Sequence, residues 1–176
     1  MFAIRIKIDA EPAKRMLDRA PGLLRAALDR AATLVLALVE RLVTENIRTP
    51  YEGKPPAVGY GFLVNSVFAE ISPEPLIGGT IAVHPPADVY AAPVEYGSRA
   101  HFPPVAALVP WVKRKFGIKD EAEAEAAAFA VARGIAARGT PAHRMFTRAA
   151  AQAEPEAQAI FDREIDAALQ EMEGGR

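Results

Sequence analysis

The sequence predicts an α+β fold, in which a small, mainly antiparallel sheet is packed by a long N-terminal helix and by C-terminal helices. Two observations lead to this prediction. Apolar residues recur at the spacing of an amphipathic helix over residues 23–47 and again after residue 105. Residues 61–71 and 76–84 are instead short apolar stretches bounded by Gly, Pro and Ser, which is typical of strands. We therefore expect one sheet with helices on one side of it.

The N-terminal residues predict a strand followed by a short helix. Ile4, Ile6 and Ile8 alternate with basic residues, which is the pattern of a half-buried strand. Asp9 is placed to cap a short helix that Pro21 ends. The segment lacks the apolar core of a signal peptide, and we expect none here.

The longest predicted helix carries an apolar stripe with alternating spacings of four and three: Leu24, Leu28, Ala31, Val35, Leu38 and Leu42. A repeat of about 3.5 residues is also the pattern of a coiled-coil seam between subunits. Ala27, Leu34 and Val39 widen the stripe, and for this reason we favour a core helix laid across the sheet.

A loop and a hairpin follow this helix. Residues 49–60 hold five Pro or Gly residues, so neither a helix nor a central strand can continue through them. Loops of this length are usually functional or disordered. The two strand segments after the loop predict an antiparallel hairpin, and Gly78-Gly79 predicts a bulge within it.

The next segment, residues 90–104, predicts a structural corner. Proline fits the first turn of a helix and glycine ends one, so Pro93 and Gly97 place a short helix between about residues 90 and 97. A carboxylate near a helix C-terminus costs roughly 0.3–1 kcal/mol against the helix dipole. We therefore expect Glu95 to be at least half-buried and bonded to backbone amides or to Arg99, Arg138 or Arg144. The predicted corner comprises Tyr90, Val94, Glu95, Tyr96 and Gly97, with the tyrosines and Val94 anchoring the helix to the sheet.

Three helices complete the prediction. The first has a stripe formed by Leu108, Trp111, Val112 and Phe116, and Gly117 ends it. Asp120 and Glu123 form a variant capping box for the second helix, which runs to Gly139. Residues 139–142 turn the chain into the last helix, which we expect Pro155 to split in two. We expect one domain over residues 1–172 and a frayed tail at residues 173–176.

Composition limits the possible functions. The chain has 21 basic and 22 acidic residues, so its net charge of −1 provides no global field for nucleic acid or an anionic membrane. It has no cysteine, which excludes disulfides, thiolate catalysis and thiolate metal sites. No apolar run is long enough to cross a bilayer. We expect a soluble protein made in a cytoplasm.

The motifs do not predict catalysis. The histidines His84, His101 and His143 lack metal-binding spacing, and no phosphate-binding loop or nucleophile elbow is present. We therefore expect neither an enzyme nor a cofactor or metal. Two other classes remain open. One is a hydrolase built from Glu95 and His101, and the other is a nucleic-acid-contacting module that uses Arg99 and the basic residues at 113–115.

Several segments together resemble a known family. In order, these are a long N-terminal helix, then residues 61–67 (GFLVNSV), 90–98 (YAAPVEYGS), Leu108 with residues 111–112 (WV), 139–142 (GTPA), and Phe146 with Ala149. This order resembles the tail-component family of tailed bacteriophages, the tail-completion or neck proteins of siphophages. The match spans most of the chain. Departures include Tyr60, Tyr96 and Ser98, where the family often has Thr, Phe and Thr, and a proline-rich segment at 102–104.

The resemblance implies a structural virion protein, without catalysis, that forms a homo-oligomeric ring in the tail or the head–tail joint. Its partners would be itself and the neighbouring tail-tube, terminator or connector proteins, and DNA would be met only as it passes through the ring. Tail terminator and minor tail protein are the alternative roles. A ring needs two different patches that meet on neighbouring subunits. The candidate interface residues are Tyr51 and Lys54 in one loop, and Arg99, His101 and Phe102 in another.

Overall fold

The computed structural model describes residues 2–4, 22–54, 56–57, 61–73 and 77–174. In chain order its elements are β1 (Phe2–Ile4), α1 (Gly22–Arg48), α2 (Phe62–Asn65), β2 (Val67–Ile71), β3 (Gly79–Val83), α3 (Asp88–Tyr96), α4 (Val105–Phe116), α5 (Glu121–Arg138) and α6 (Met145–Gly174). The predicted α+β class is confirmed. The N-terminal strand prediction is described only as far as Ile4, and the predicted helix after Asp9 lies outside the described residues.

The chain forms two compact units. The first comprises Met1–Val89 with Met145–Arg176, and the second comprises Tyr90–Arg144. The sheet, α1 and α6 belong to the first unit, whereas α4 and α5 belong to the second. No linker-like stretch in the sequence marks this division. The second unit is a continuous segment inserted between the two parts of the first.

The sheet of the first unit is antiparallel, with the strand order β1-β3-β2. The predicted hairpin is confirmed: Val67 pairs with Val83 and Ile71 with Gly79, in continuous register. Residues 61–71, which we expect to form a turn leading into a strand, contain the single helical turn α2 at residues 62–65 and then β2 from Val67. Gly61, with φ +82°, precedes that turn in the left-handed region that glycine favours.

The bulge predicted at Gly78-Gly79 is wrong, because the ladder between β2 and β3 is unbroken and Gly79 is the first residue of β3. Gly79 is required for packing instead. A Cβ atom at this position would overlap the carbonyl oxygen of Glu70 and come within 2.5 Å of the Leu36 Cδ1 atom. The absent side chain therefore lets α1 lie close against the hairpin.

The long helix α1 is a core helix, as we favoured over a coiled-coil seam. It contacts α6, β2 and β3, and its buried residues are Ala27, Leu28, Ala31, Ala32, Val35, Leu36, Leu38, Val39, Val43, Asn46 and Ile47. Leu34, which we included in the stripe, is 42% exposed. The stripe widens toward Ala32 and Leu36 because α1 must cover the sheet and α6 together.

Helix α6 is continuous over 30 residues, so the split predicted at Pro155 is wrong. Proline removes one i→i−4 hydrogen bond, to the carbonyl of Ala151. Both Pro155 and Ala151 are exposed, so water can satisfy that carbonyl. Ala153 and Ile160 are buried on either side of the proline and hold both halves in place. The helix also includes residues 173 and 174, which we expected to fray.

In the second unit, α4 and α5 pack around Val109, Val112, Ala124 and Ala128. Val112 is buried as expected, but Phe116 is 58% exposed, so the predicted stripe is displaced toward Val109. The helix ends are as predicted: Gly117 has φ +70°, and the Asp120 carboxylate accepts a hydrogen bond from the Glu123 amide at 2.8 Å.

Candidate functional site

The predicted structural corner is held together by backbone hydrogen bonds. Helix α3 ends at Tyr96, and Gly97 adopts φ +75°. The carbonyl groups of Val94 and Glu95 would have no partner within the helix. They accept hydrogen bonds from the backbone amides of His143 and Arg144, at 2.8 and 3.1 Å. The end of α3 is therefore capped by a chain segment almost fifty residues away in sequence.

A second set of bonds fixes the two turns to each other. Ser98 and Thr140 exchange backbone hydrogen bonds of 2.9 and 3.2 Å, and the Thr140 hydroxyl donates to the Ser98 Oγ atom at 2.9 Å. The backbones approach so closely that each turn needs glycine. A Cβ atom on Gly97 would lie 2.5 Å from the Thr140 carbonyl oxygen, and one on Gly139 would overlap the Ser98 carbonyl oxygen.

The predicted corner residues have different environments. Glu95 is completely buried, which confirms the expected burial, while Tyr90 and Val94 are half-buried. Tyr96 is 64% exposed, so it does not serve as the anchor we expected. The helix begins at Asp88 rather than near Tyr90, which places Pro93 in the second turn. Burial raises the pKa of the Tyr90 phenol, because it disfavours the charged phenolate.

Burial gives Glu95 a structural role. Its side chain is 0% exposed and is among the largest that are fully buried. A carboxylate is stable in such a place only when polar partners replace its water. The backbone carbonyl of Glu95 accepts a hydrogen bond from the backbone amide of Arg144. The main chain and the side chain of Glu95 are therefore both enclosed in the corner.

The first candidate interface loop, residues 98–104, is exposed but ordered by its own contacts. Arg99, His101 and Phe102 are all exposed, and the His101 Nδ1 atom lies 2.9 Å from the Arg99 carbonyl oxygen. The Phe102 ring packs edge-on against Phe129, with 6.0 Å between ring centroids. Both rings remain about half exposed. The loop thus presents the Phe102 ring, packed against Phe129 of α5, together with the exposed side chains of Arg99 and His101.

The second candidate interface loop belongs to the first unit and is a tight hairpin. Tyr51 and Lys54 exchange two backbone hydrogen bonds of 3.1 and 2.9 Å. The two residues between them, Glu52 and Gly53, have φ +49° and +75°, the geometry of a type I′ turn. The Lys54 ammonium bonds the Glu52 carboxylate at 2.9 Å and lies 5.2 Å from the centre of the Tyr51 ring.

A polar network fixes this hairpin to the helices, and the sequence reading missed it. The Arg148 guanidinium lies 4.4 Å from the Tyr51 ring centre and donates to the Asn46 Oδ1 atom at 2.7 Å. The Asn46 Nδ2 group donates to the Met145 carbonyl and to the Gln152 amide oxygen, at 3.1 and 2.9 Å. The sequence contains one indication of this network. Asn46 is a polar residue that continues the buried face of α1 after Val39 and Val43.

The outer face of the β2–β3 hairpin carries a hydrogen-bonded pair of His84 and Glu70. The His84 Nε2 atom lies 2.6 Å from the Glu70 carboxylate, and the His84 ring packs edge-on against Phe68 at 5.2 Å. His84 follows β3 directly, close to the strand position we assigned to it. The Glu40 carboxylate of α1 accepts a hydrogen bond from the Ala69 amide of the edge strand β2 at 3.1 Å.

The residues of the hydrolase and nucleic-acid alternatives have the following surroundings in the structure. Glu95 is buried whereas the His101 ring is exposed and bonds its own loop, so the two side chains have different solvent environments. Among the described residues, no three His, Cys, Asp or Glu side chains are grouped as a metal site. The basic residues at the end of α4 are partly neutralised, because Lys113 forms an ion pair with Glu121.

Comparisons with family models, curated proteins and solved structures found no match to this chain. Within the part of the chain that the structure describes, no helix is long and apolar enough to span a membrane.

Proposed function

We propose that the protein is a structural virion-assembly subunit that acts in tail completion or head–tail joining, forms a homo-oligomeric ring and performs no catalysis. The main support is the bonded pair Ser98 and Thr140. These residues lie in two separate segments on which the resemblance to phage tail components depends, residues 90–98 and 139–142. Their pairing joins both motifs in one hydrogen-bonded corner, and this supports a structural use of the two segments.

The two interface loops also support an assembly role. The hairpin at residues 51–54 is fixed by Arg148, and the loop at residues 98–104 by the packing of Phe102 on Phe129. Each loop presents polar and aromatic side chains on an ordered backbone. A preordered loop loses less conformational entropy when a partner binds it, which raises affinity without adding contacts.

The proposal is tested on purified particles and on the purified protein. We expect mass spectrometry to find the protein in virions or induced prophage particles, and native mass spectrometry to find a ring. Particles that lack the protein should have tails of normal length that are not joined to heads. Tails of uncontrolled length would favour the terminator role. A strict monomer that is absent from particles would contradict the proposal.

A loop variant tests the assigned surface. Phe102→Ser should lower incorporation into particles while the melting temperature stays within about 2 °C, because the ring is half exposed. Gln158→Ala, an exposed change on α6, is the matched control. Unchanged incorporation of the Phe102→Ser variant would exclude this loop from the interface. The nucleic-acid alternative predicts DNA binding that falls steeply with salt, and no binding at low salt would dismiss it.

A further inference from the structure

The second unit carries an apolar groove with an acidic rim between α4 and α5. Its volume is about 450 Å³, within the range of pockets that receive ligand groups. We call it the acidic groove, and it is lined by Val105, Ala106, Val109, Pro110, Glu121 and Glu125. The floor is apolar, whereas the two carboxylates belong to the exposed side of α5.

The rim of the groove carries two carboxylates, Glu121 and Glu125. Glu121 and Glu125 are four residues apart on one helix, and like charges at this spacing repel. Lys113 forms an ion pair with Glu121, and Glu125 adds a second carboxylate one helical turn further along α5. A further acceptor lies beside them, because Pro110 has no N–H group to donate to the carbonyl of Ala106. The groove therefore suits a side chain that brings an ammonium or guanidinium group together with apolar surface.

The opposite end of the same helix presents such a group. We call Lys115 and Phe116 the α4 tip. Lys115 is exposed, and the Phe116 side chain is 58% exposed even though it ends an apolar stripe. Trp111 packs against the Phe116 ring at 6.0 Å and an interplanar angle of 88°, so the ring is held in a fixed position. Phenylalanine is one of the aromatic residues that are enriched at protein interfaces.

We propose that the α4 tip of one copy of this chain docks in the acidic groove of the next copy. The charges are complementary, and a groove of this size admits a phenylalanine ring with a lysine stem. The groove lining on α4, from Val105 to Pro110, lies five to ten residues from Lys115, or about 7 to 15 Å along the helix, so the two patches are separate on one copy. Two different patches that meet make a head-to-tail contact, which closes into a ring when its rotation permits. This inference rests on the proposed assembly function and assigns its subunit contact.

Charge reversal tests the contact. Glu125→Lys and Lys115→Glu should each weaken self-association of the full chain at least tenfold, measured by sedimentation velocity. The double variant Glu125→Lys/Lys115→Glu should restore it, because the two patches exchange their charges. An equal mixture of the two single variants should also assemble, with the variants alternating. Glu156→Lys, an exposed change of the same charge on α6, should leave association unchanged.

The outcomes separate this contact from the wider function. Rescue by the double variant and by the mixture supports the contact. If the wild type assembles but neither reversal weakens it, the docking proposal fails while the assembly function stands. A wild type that is monomeric in solution overturns the docking proposal, and its presence or absence in purified particles decides the assembly function separately. Melting curves that match the wild type establish that each variant is folded.

Discussion

Two glycines of the second unit allow conformational strain to be separated from steric overlap. Gly97 and Gly117 each follow a helix, and their φ angles are +75° and +70°. A Cβ atom on Gly117 would meet nothing within 4 Å, whereas one on Gly97 would lie 2.5 Å from the Thr140 carbonyl oxygen and 2.9 Å from the Ala142 amide. Both Gly97→Ala and Gly117→Ala therefore place an alanine in the left-handed region, but only Gly97→Ala also creates a steric overlap.

The shared cost is that of an alanine in the left-handed region, about 1–2 kcal/mol. We expect Gly117→Ala to lose only this amount. Gly97→Ala must also displace a neighbour, and overpacking typically adds about 1–3 kcal/mol. The obstructing atoms belong to the backbone of residues 140–142, where Thr140 is bonded to Ser98, and backbone atoms cannot rotate away. We therefore expect a total loss of about 2–5 kcal/mol for Gly97→Ala.

Urea unfolding followed by tryptophan fluorescence measures this difference. The chain has one tryptophan, and Trp111 lies in the same unit as both glycines. For a slope of about 2 kcal/mol per molar urea, the extra loss of about 1–3 kcal/mol lowers the midpoint of Gly97→Ala below that of Gly117→Ala by roughly 0.5–1.5 M. Equal midpoints for the two variants would refute the claim that the corner is closely packed.

Three further predictions concern other parts of the fold. Asn46→Ala removes the acceptor for Arg148 and the two hydrogen bonds that the Asn46 amide donates. It should lower the free energy of unfolding by about 2–4 kcal/mol, measured by urea titration followed by circular dichroism. A loss below about 1 kcal/mol would mean that the network adds little to stability. Gly79→Ala should cost about 1–3 kcal/mol where the open site of Gly22→Ala costs nothing, and equal stabilities would mean that α1 can move away from the hairpin. Burial raises the pKa of Tyr90 above 10.0, so the unfolded chain loses this proton first and stability should fall as pH rises through the folded-state pKa; a Tyr90→Phe variant with the same alkaline loss would contradict this.

Local patterns in the sequence were sufficient for the main elements. The apolar period predicted α1, the alternation and breakers predicted the β2–β3 hairpin, and Gly97 and Gly117 marked two helix ends. These features depend on residues that are close in sequence. The errors arose where tertiary packing overrode a local rule. At Pro155, buried Ala153 and Ile160 on either side hold one continuous helix, and at Gly79 the missing side chain admits α1.

The candidate site was predicted only in part, because it is assembled from distant segments. The pairing of Ser98 with Thr140 spans 42 residues, and that of Asn46 with Arg148 spans 102. No periodicity within either segment specifies such a partner. The hairpin at residues 51–54 was predicted as a loop, and its type I′ geometry requires φ +49° at Glu52, which a residue other than glycine seldom adopts.

The corner has a consequence for how the chain can be rearranged. Residues 94–98, near the start of the second unit, are bonded to residues 139–144, near its end. The segment therefore begins and ends at one place, as a domain inserted into a host fold does. Segments whose ends lie together tolerate excision, exchange and circular permutation, since a short connection can replace them. Residues 90–144 can therefore be removed as one segment, with the flanking chain rejoined at one place, or replaced by another segment whose ends lie equally close.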